Sequence, residues 1–483
     1  MLFSEPVFVF LFLPLLFLVY VVVPRAARNT ILLLASLLFY AWGEKFFVLV
    51  MIGSIAFNYL MGLLIEAGRC RGLHKLFLVL GIVGNLGLLI AFKYTSFLVA
   101  SLNSALVGLK MQPIPLPAIH LPIGISFFTF HAMSYITDIY RGKAAVQKDP
   151  VRIALYITLF PQLIAGPIIR YHDIAHQLAR RTVSRAGFAE GIRRFILGLG
   201  KKMLVANVVA VPADQIFAIP TSQLTTPVAW LGVVCYTLQI YFDFSGYSDM
   251  AIGLARMFGF RFLENFNYPY ISRTITEFWH RWHISLSNWY RDYLYIPLGG
   301  NRRGTGRTYL NLVIVFFLCG LWHGASWTFV VWGLFHGLFL VVERLGPGRF
   351  LASRRPTVQH VYALLVILMS WVLFRSNTLS QAAGMLAAMA GFARGTGLEY
   401  HLSLYIDAEV AIALIVGVVA STPALPLLAH SLRRRRKVLE LAARRQFDTL
   451  AAVGELGLLM LIFLLSLSWM AAGTYSPFLY FRF

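Results

Sequence analysis

Apolar runs recur along the whole chain, at residues 7 to 23, 30 to 42, 46 to 65, 76 to 92, 121 to 137, 195 to 211, 228 to 253, 308 to 343, 358 to 376, 408 to 432 and 450 to 472, with polar stretches between them. A helix needs about 20 apolar residues to cross a hydrocarbon layer roughly 30 Å thick, so several runs must borrow from their flanks or be incomplete crossings. The pattern predicts an all-α polytopic membrane protein with about ten to twelve spans, forming a single integral-membrane domain over residues 1 to 483. The first run follows MLFSEP and leads into Pro24 and Arg25. Without a basic leader or a small-residue cleavage site it reads as a retained first helix.

Two segments break the simple count. Residues 153 to 169, IALYITLFPQLIAGPII, hold two prolines and a glycine within an apolar stretch flanked by arginines, which reads as re-entrant. Non-helical backbone at membrane depth is tolerated only where it is buried in protein or lines a wet cavity, so an internal chamber is expected. Residues 264 to 303 are rich in Trp, Tyr, Arg and His and too polar to span. That composition suits short helices lying at the membrane interface.

Composition agrees: 59% of the 483 residues are hydrophobic and 13% charged, and the mean hydropathy is +0.72, outside the range of a soluble domain. Cys70, Cys235 and Cys319 are too scattered for a paired framework or a CxxC metal site. The net charge of +22 raises the question of nucleic acid, but its placement answers it. Segments 24 to 29, 66 to 75, 138 to 152, 170 to 202, 254 to 307, 344 to 357 and 433 to 449 carry 36 of the 42 Lys and Arg residues. The others are Lys45, Lys93, Lys110, Arg375, Arg394 and Arg482. By the positive-inside rule the basic segments are cytoplasmic, which leaves both termini, the 93 to 120 segment and the 212 to 227 connection outside. The run Arg433 to Lys437 is then an anchor for topology and anionic lipid, not a nucleic-acid site.

Candidate chemistry lies where ionisable groups interrupt apolar runs. His323 sits inside FLCGLWHGASWTFVVWGLFHG. An imidazole in such a setting is costly unless it bonds a partner or faces a wet cavity, so it is a functional candidate by default. The plain alternative is a histidine that ties two helices together. His280 and His283 are three apart, on one face if that stretch is helical. They lack zinc-protease spacing, and Glu277 alone is a poor third ligand, so no metal site is expected. His283 is the better candidate to share a cavity with His323, while His280 reads as packing among Trp279, Trp282 and Trp289. In the span YTLQIYFDFSGYSDMAIGLA, Gln239, Asp243, Ser245, Tyr247, Ser248 and Asp249 require that the helix face protein or water. Asp243 and Tyr247 could orient an imidazole or bind substrate. Interhelical hydrogen bonding, helped by Gly246 and Gly253, is the alternative and is preferred for Asp249. His131 is a cavity candidate, and His336 reads as packing.

Taken together these motifs resemble one family, the membrane-bound O-acyltransferases, in the bacterial branch of the alginate O-acetylation type. The resemblance runs from MLFSEPVFVFLFLPLLFLVY through LPIGISFFTFHAMSYITDIYRG, FPQLIAGPIIRY and IYFDFSGYSDMAIGLARMFGF to SWVLFR and the terminal YSPFLYFRF. Its sharpest pieces are FWHRWHISLSNWYRDYLYIPLGGNR and, forty residues after His283, LWHGASWTF around His323. The resemblance implies a helical fold enclosing a tunnel, with His323 near its centre, His283 beside it, and Asp243, Gln239, Tyr247, His131, His280 and Trp322 as substrate-binding or tunnel candidates. The segment 308 to 343 would carry the catalytic histidine.

The resemblance also implies that no cofactor is bound. Acetyl-CoA or another acyl thioester would arrive from the cytoplasm, with Arg302 and Arg303 placed to attract a phosphate-bearing donor. The acetyl group would pass across the bacterial inner membrane to an extracytoplasmic acetyltransferase that works with polysaccharide-export proteins. His323 would act as general base, since an imidazole exchanges protons near neutral pH, with covalent carriage of the acetyl group on the same ring as the alternative. His283 or Asp243 would position the acceptor or support developing charge. D-alanyl or longer acyl transfer to teichoic acid or lipid is the alternative within the class. A transporter would be expected to show two related halves, and none are found. A non-catalytic export scaffold does not account for the polar 236 to 255 helix.

Overall fold

The computed structural model describes residues 1–436, 441–473 and 478. Among these residues there are helices and no strand. In chain order they are α1 (Leu13–Val22), α2 (Arg28–Glu44), α3 (Val48–Ala67), α4 (His74–Leu89), α5 (Thr95–Gly108) and α6 (Ile125–Tyr140), then the short α7 (Pro150–Thr158), α8 (Phe160–Leu163) and α9 (Tyr171–Ala179). Next come α10 (Arg185–Gly200), α11 (Asn207–Ala218), the long α12 (Thr226–Met257) and the short α13 (Ile275–Arg281) and α14 (Ile284–Tyr290). The chain continues through α15 (Thr305–His323), α16 (Trp327–Val342), α17 (Gly346–Ala352), α18 (Pro356–Arg375), α19 (Leu379–Met389), α20 (Ala408–Ala420), α21 (Ala424–Arg436) and α22 (Leu441–Ala471). Part of the Arg433–Lys437 run, and YSPFLYFRF apart from Phe478, lie outside the described residues.

Among the described residues, seven helical stretches are long and apolar enough to cross a membrane. The number is nine if the bent pairs α16–α17 and α20–α21, turned by 72° and 62°, each count as one span. This is fewer than the ten to twelve expected, and the shortfall has specific sources. The runs at 30 to 42 and 46 to 65 share one helical stretch, Arg25–Ala67, divided at the positive-φ residue Lys45. The first run and the 121 to 137 run form helices too short for a full crossing, Phe8–Val22 and the 16-residue α6.

The polar helix α12 is buried along most of its length, as its carboxylates require. Against it lies α10, and their backbones meet at two pairs of reciprocal glycines, Gly191 with Gly253 and Gly198 with Gly246. A methyl group added at Gly198 would sit 2.6 Å from the Gly246 carbonyl oxygen, and one at Gly253 2.6 Å from that of Gly191. The glycines on each helix are two turns apart and share a face. Small residues are the usual means of close helix approach in membranes. Asp249 secures the edge of this seam, accepting from Lys201 Nζ at 2.6 Å and from Arg194 Nη2 at 2.9 Å, which makes its role structural.

A second close crossing joins α15 to α16. Methyl groups at Gly320 and Gly333 would lie 2.3 Å and 2.2 Å from the carbonyl oxygens of Phe329 and Phe316. This pairing fixes the end of α15, where His323 sits. Residues 153 to 169 divide at Leu159 into α7 and α8 and then run without helix to Arg170, with every residue from Leu155 to Ile169 buried. Gln162 helps satisfy that irregular backbone, donating to the Tyr156 carbonyl at 2.6 Å.

Replacing Gly198 with valine should overpack the α10–α12 seam at a cost of about 1–3 kcal/mol, seen as a lower thermal midpoint of the detergent-solubilised chain. Gly87→Val, at a site where an added Cβ meets nothing within 4 Å, is the control and should leave the midpoint near wild type. Equal midpoints for the two variants would mean that the seam does not constrain the fold.

Candidate active site

His323 is the last residue of α15 and is 3% exposed. The final carbonyls of a helix lack partners within it and must find them elsewhere. Here they find them on the α4–α5 junction, where Tyr94 Oη donates to the Leu321 carbonyl at 2.9 Å and Lys93 Nζ donates to the Trp322 carbonyl. Three aromatic rings stand edge-on to the imidazole: Trp322 and Trp332 at 4.9 Å between centroids, and Phe374 at 5.4 Å.

His283 is fully buried and is the N-cap residue of α14, with left-handed backbone angles of φ 43° and ψ 53°. A non-glycine residue in that region carries strain and persists only where its surroundings hold it. Asn265 provides the hold. Its carbonyl accepts from the Ile284 N–H at 2.9 Å, and its Oδ1 accepts from the Ser285 N–H at 3.2 Å and from the Ser285 hydroxyl at 2.8 Å. Its Nδ2 donates to Ser248 Oγ on α12 at 2.9 Å, and Ser285 Oγ in turn accepts from the Ile168 N–H at 2.9 Å. The α12 helix, the irregular 160 to 170 stretch and α14 thus meet beside His283.

The two imidazole centroids are 6.4 Å apart, with ring planes at 60°. That spacing exceeds what a direct nitrogen-to-nitrogen hydrogen bond allows. Trp322 lies 6.0 Å from His283 and packs against Phe127 and Phe130. Phe244 of α12 stands edge-on to His283 at 4.6 Å.

The other candidates distribute differently. Asp243, next to Phe244, is buried in an ion pair with Lys202. Tyr247 packs between Phe3 and Phe478, at 4.6 and 4.8 Å. Gln239 and His131 are buried, and His131 lies 5.7 Å from the Tyr156 ring. Among the described residues, Gln239 Oε1, both ring nitrogens of His131, Ser245 Oγ and Ser287 Oγ are buried without a hydrogen-bond partner. His280 is exposed and is not brought to the pair, because α13 turns it outward while burying Phe278 and Trp279. His336 accepts from Trp279 Nε1 at 3.3 Å and is separated from His323 by the Trp332 ring. Among the described residues no group of three or more His, Cys, Asp or Glu could hold a metal ion. The sequence reading did not anticipate Asn265, Lys93 or Tyr94.

Below the pair, Arg170 bonds both Asp173 and Asp292, and buried Asp138 accepts from Tyr293 Oη and pairs with the His172 ring, each at 2.8 Å. This collar joins α6 and α9 to the 264 to 303 segment. Burial pushes the Asp292 carboxyl up, but hydrogen bonding and charge from Arg291, together with Arg170, outweigh it and hold the group below its ordinary 3.8. A carboxylate so depressed contributes stability above its unfolded-state pKa and loses that contribution as pH falls through the folded-state value. Asp292→Asn should therefore lower the thermal midpoint near neutrality and flatten its decline on acidification. A parallel decline in variant and wild type would remove Asp292 from this role.

The fold describes a polytopic helical membrane protein, with a pair of histidines buried in its interior. The family model of the membrane-bound O-acyltransferases matches residues 87–379. The chain is 43% identical to a probable alginate O-acetylase of Azotobacter vinelandii over the full length of both proteins. It is 48% identical to one from Pseudomonas aeruginosa over 81% of this chain and 75% of that protein. Against a peptidoglycan O-acetyltransferase of Helicobacter pylori the identity is 37%, over 83% of this chain and 82% of the relative. The chain belongs to the membrane-bound O-acyltransferase family and is an integral membrane O-acyltransferase.

Proposed function

We propose that this chain takes an acetyl group from a cytoplasmic thioester donor, acetyl-CoA or a similar compound, and delivers it across the bacterial inner membrane for O-acetylation of an exopolysaccharide such as alginate. The observation that carries this reading is the buried His283–His323 pair, its rings 6.4 Å apart between centroids, in a chain so similar to probable alginate O-acetylases. His323 takes the proton from an acceptor hydroxyl as its oxygen attacks the thioester carbonyl. The new C–O bond forms, the C–S bond breaks, and the departing thiolate recovers a proton from the imidazolium. His283 sits across the gap, where it can donate to the carbonyl oxygen as charge develops.

The basic segments face the cytoplasm in this reading, both termini lie outside, and anionic lipids meet the cytoplasmic rim. Removal of buried Lys93 from the external count sharpens that asymmetry. An extracytoplasmic acetyltransferase, with polysaccharide-export proteins, completes transfer to the polymer. The Helicobacter relative supports peptidoglycan as the alternative acceptor.

The test is polymer O-acetylation in cells whose variants reach the membrane at the wild-type level. His323→Ala should lower acetylation by about 100-fold or more, in line with loss of a general base, while His336→Ala should retain it. Full acetylation with His323→Ala would remove the general-base role.

A further inference from the structure

Lys93 lies in a π-helical turn, Ile90–Tyr94, between α4 and α5, and is 8% exposed. Its ammonium donates to the Trp322 carbonyl and to Ser126 Oγ on α6, the latter at 3.2 Å, and lies 6.0 Å from the Trp322 ring centroid. Among the described residues the hydrogen-bond partners of its nitrogen are that carbonyl and that hydroxyl, with no carboxylate beside them. A buried ammonium without a counter-charge is costly, and π-turns inside helices concentrate at functional sites. The carbonyl it holds belongs to the residue immediately before His323, and Tyr94, the next residue in the turn, holds the carbonyl before that. Cations at a helix C-terminus oppose its dipole, so the contact is favourable where it is made.

We propose that Lys93 is a positioning residue for the histidine pair: with Tyr94 it clamps the end of α15 and fixes where the His323 imidazole sits. This rests on the acyl-transfer reading above. A buried carbonyl that loses its donor costs some stability whatever the donor's role, so rescue by a second long donor, and not the midpoint alone, separates positioning from capping.

The experiment compares Lys93→Met, Lys93→Arg, Tyr94→Phe and His323→Ala in the full chain, scoring polymer O-acetylation at matched membrane levels and the thermal midpoint of the solubilised protein. Lys93→Met should lower the midpoint only modestly, through the orphaned Trp322 carbonyl, yet lower acetylation by about tenfold to a hundredfold, the scale of a small misplacement of a reacting group. Lys93→Arg, which restores a donor at the end of a long side chain, should recover part of that loss. Wild-type acetylation by Lys93→Met while His323→Ala is inactive would overturn the clamp and leave the site reading intact. A fall in midpoint matching the loss of acetylation, with no rescue by arginine, would reduce Lys93 to a structural cap and also overturn the proposal. Should Lys93→Met fail to accumulate, Tyr94→Phe is read instead: reduced acetylation at an unchanged midpoint is expected, and full acetylation counts against the clamp. Full acetylation by His323→Ala would overturn the site reading, and this inference with it.

Discussion

A helix that stops inside a protein leaves its last carbonyls facing an interior without water, and the structure around it must supply donors. At the end of α15 that requirement is met from outside the helix, by Tyr94 on Leu321 and Lys93 on Trp322. Much of the site follows from it. The capped end points His323 toward His283, while the Gly320–Gly333 contact presses α15 onto α16 and leaves Trp332 against the imidazole. On the opposite side, Asn265 performs the matching task for α14, holding His283 in a backbone conformation it would not keep alone.

The same economy governs the charges. Ionisable groups in the helical interior are few and mostly paired: Lys202 with Asp243, Arg194 and Lys201 with Asp249, Arg375 with Asp214. These pairs join helices distant in sequence, so they define which helices are neighbours as well as offsetting the cost of burial. Lys93 differs in being held by a carbonyl and a hydroxyl, and it is the group placed nearest the end of α15.

Hydrophobic periodicity and length were enough to read a helical membrane protein, because helix and hydrocarbon thickness leave few alternatives. His323 and His283 were legible for a related reason, an imidazole in an apolar or aromatic setting being expensive enough to stand out. The polar face of α12 was legible as well, and the structure resolves its ambiguity by tying Asp249 to α10. The exact number of spans was not, since run length does not show that the runs at 30 to 42 and 46 to 65 join in one stretch, Arg25–Ala67, or that α6 stops at 16 residues. His280 and His283 shared one helical face only if helix continued through them, and the left-handed residue His283 breaks it between α13 and α14. Lys93 carried the same intramembrane signal as His323 but was absorbed into a loop count of charges. Asn265 carried none, because its role depends on Ser248 and Ser285, which only the folded chain brings to it.

The central claim is that His283 and His323 act as one unit across the 6.4 Å between their ring centroids. It is tested most directly by a double-mutant cycle, with polymer O-acetylation measured for His283→Ala, His323→Ala and the two combined at matched membrane levels. Groups that work on the same step give non-additive losses, so the double variant should be no less active than the weaker single one. Losses that multiply would mean that the two histidines contribute independently, and would contradict the account.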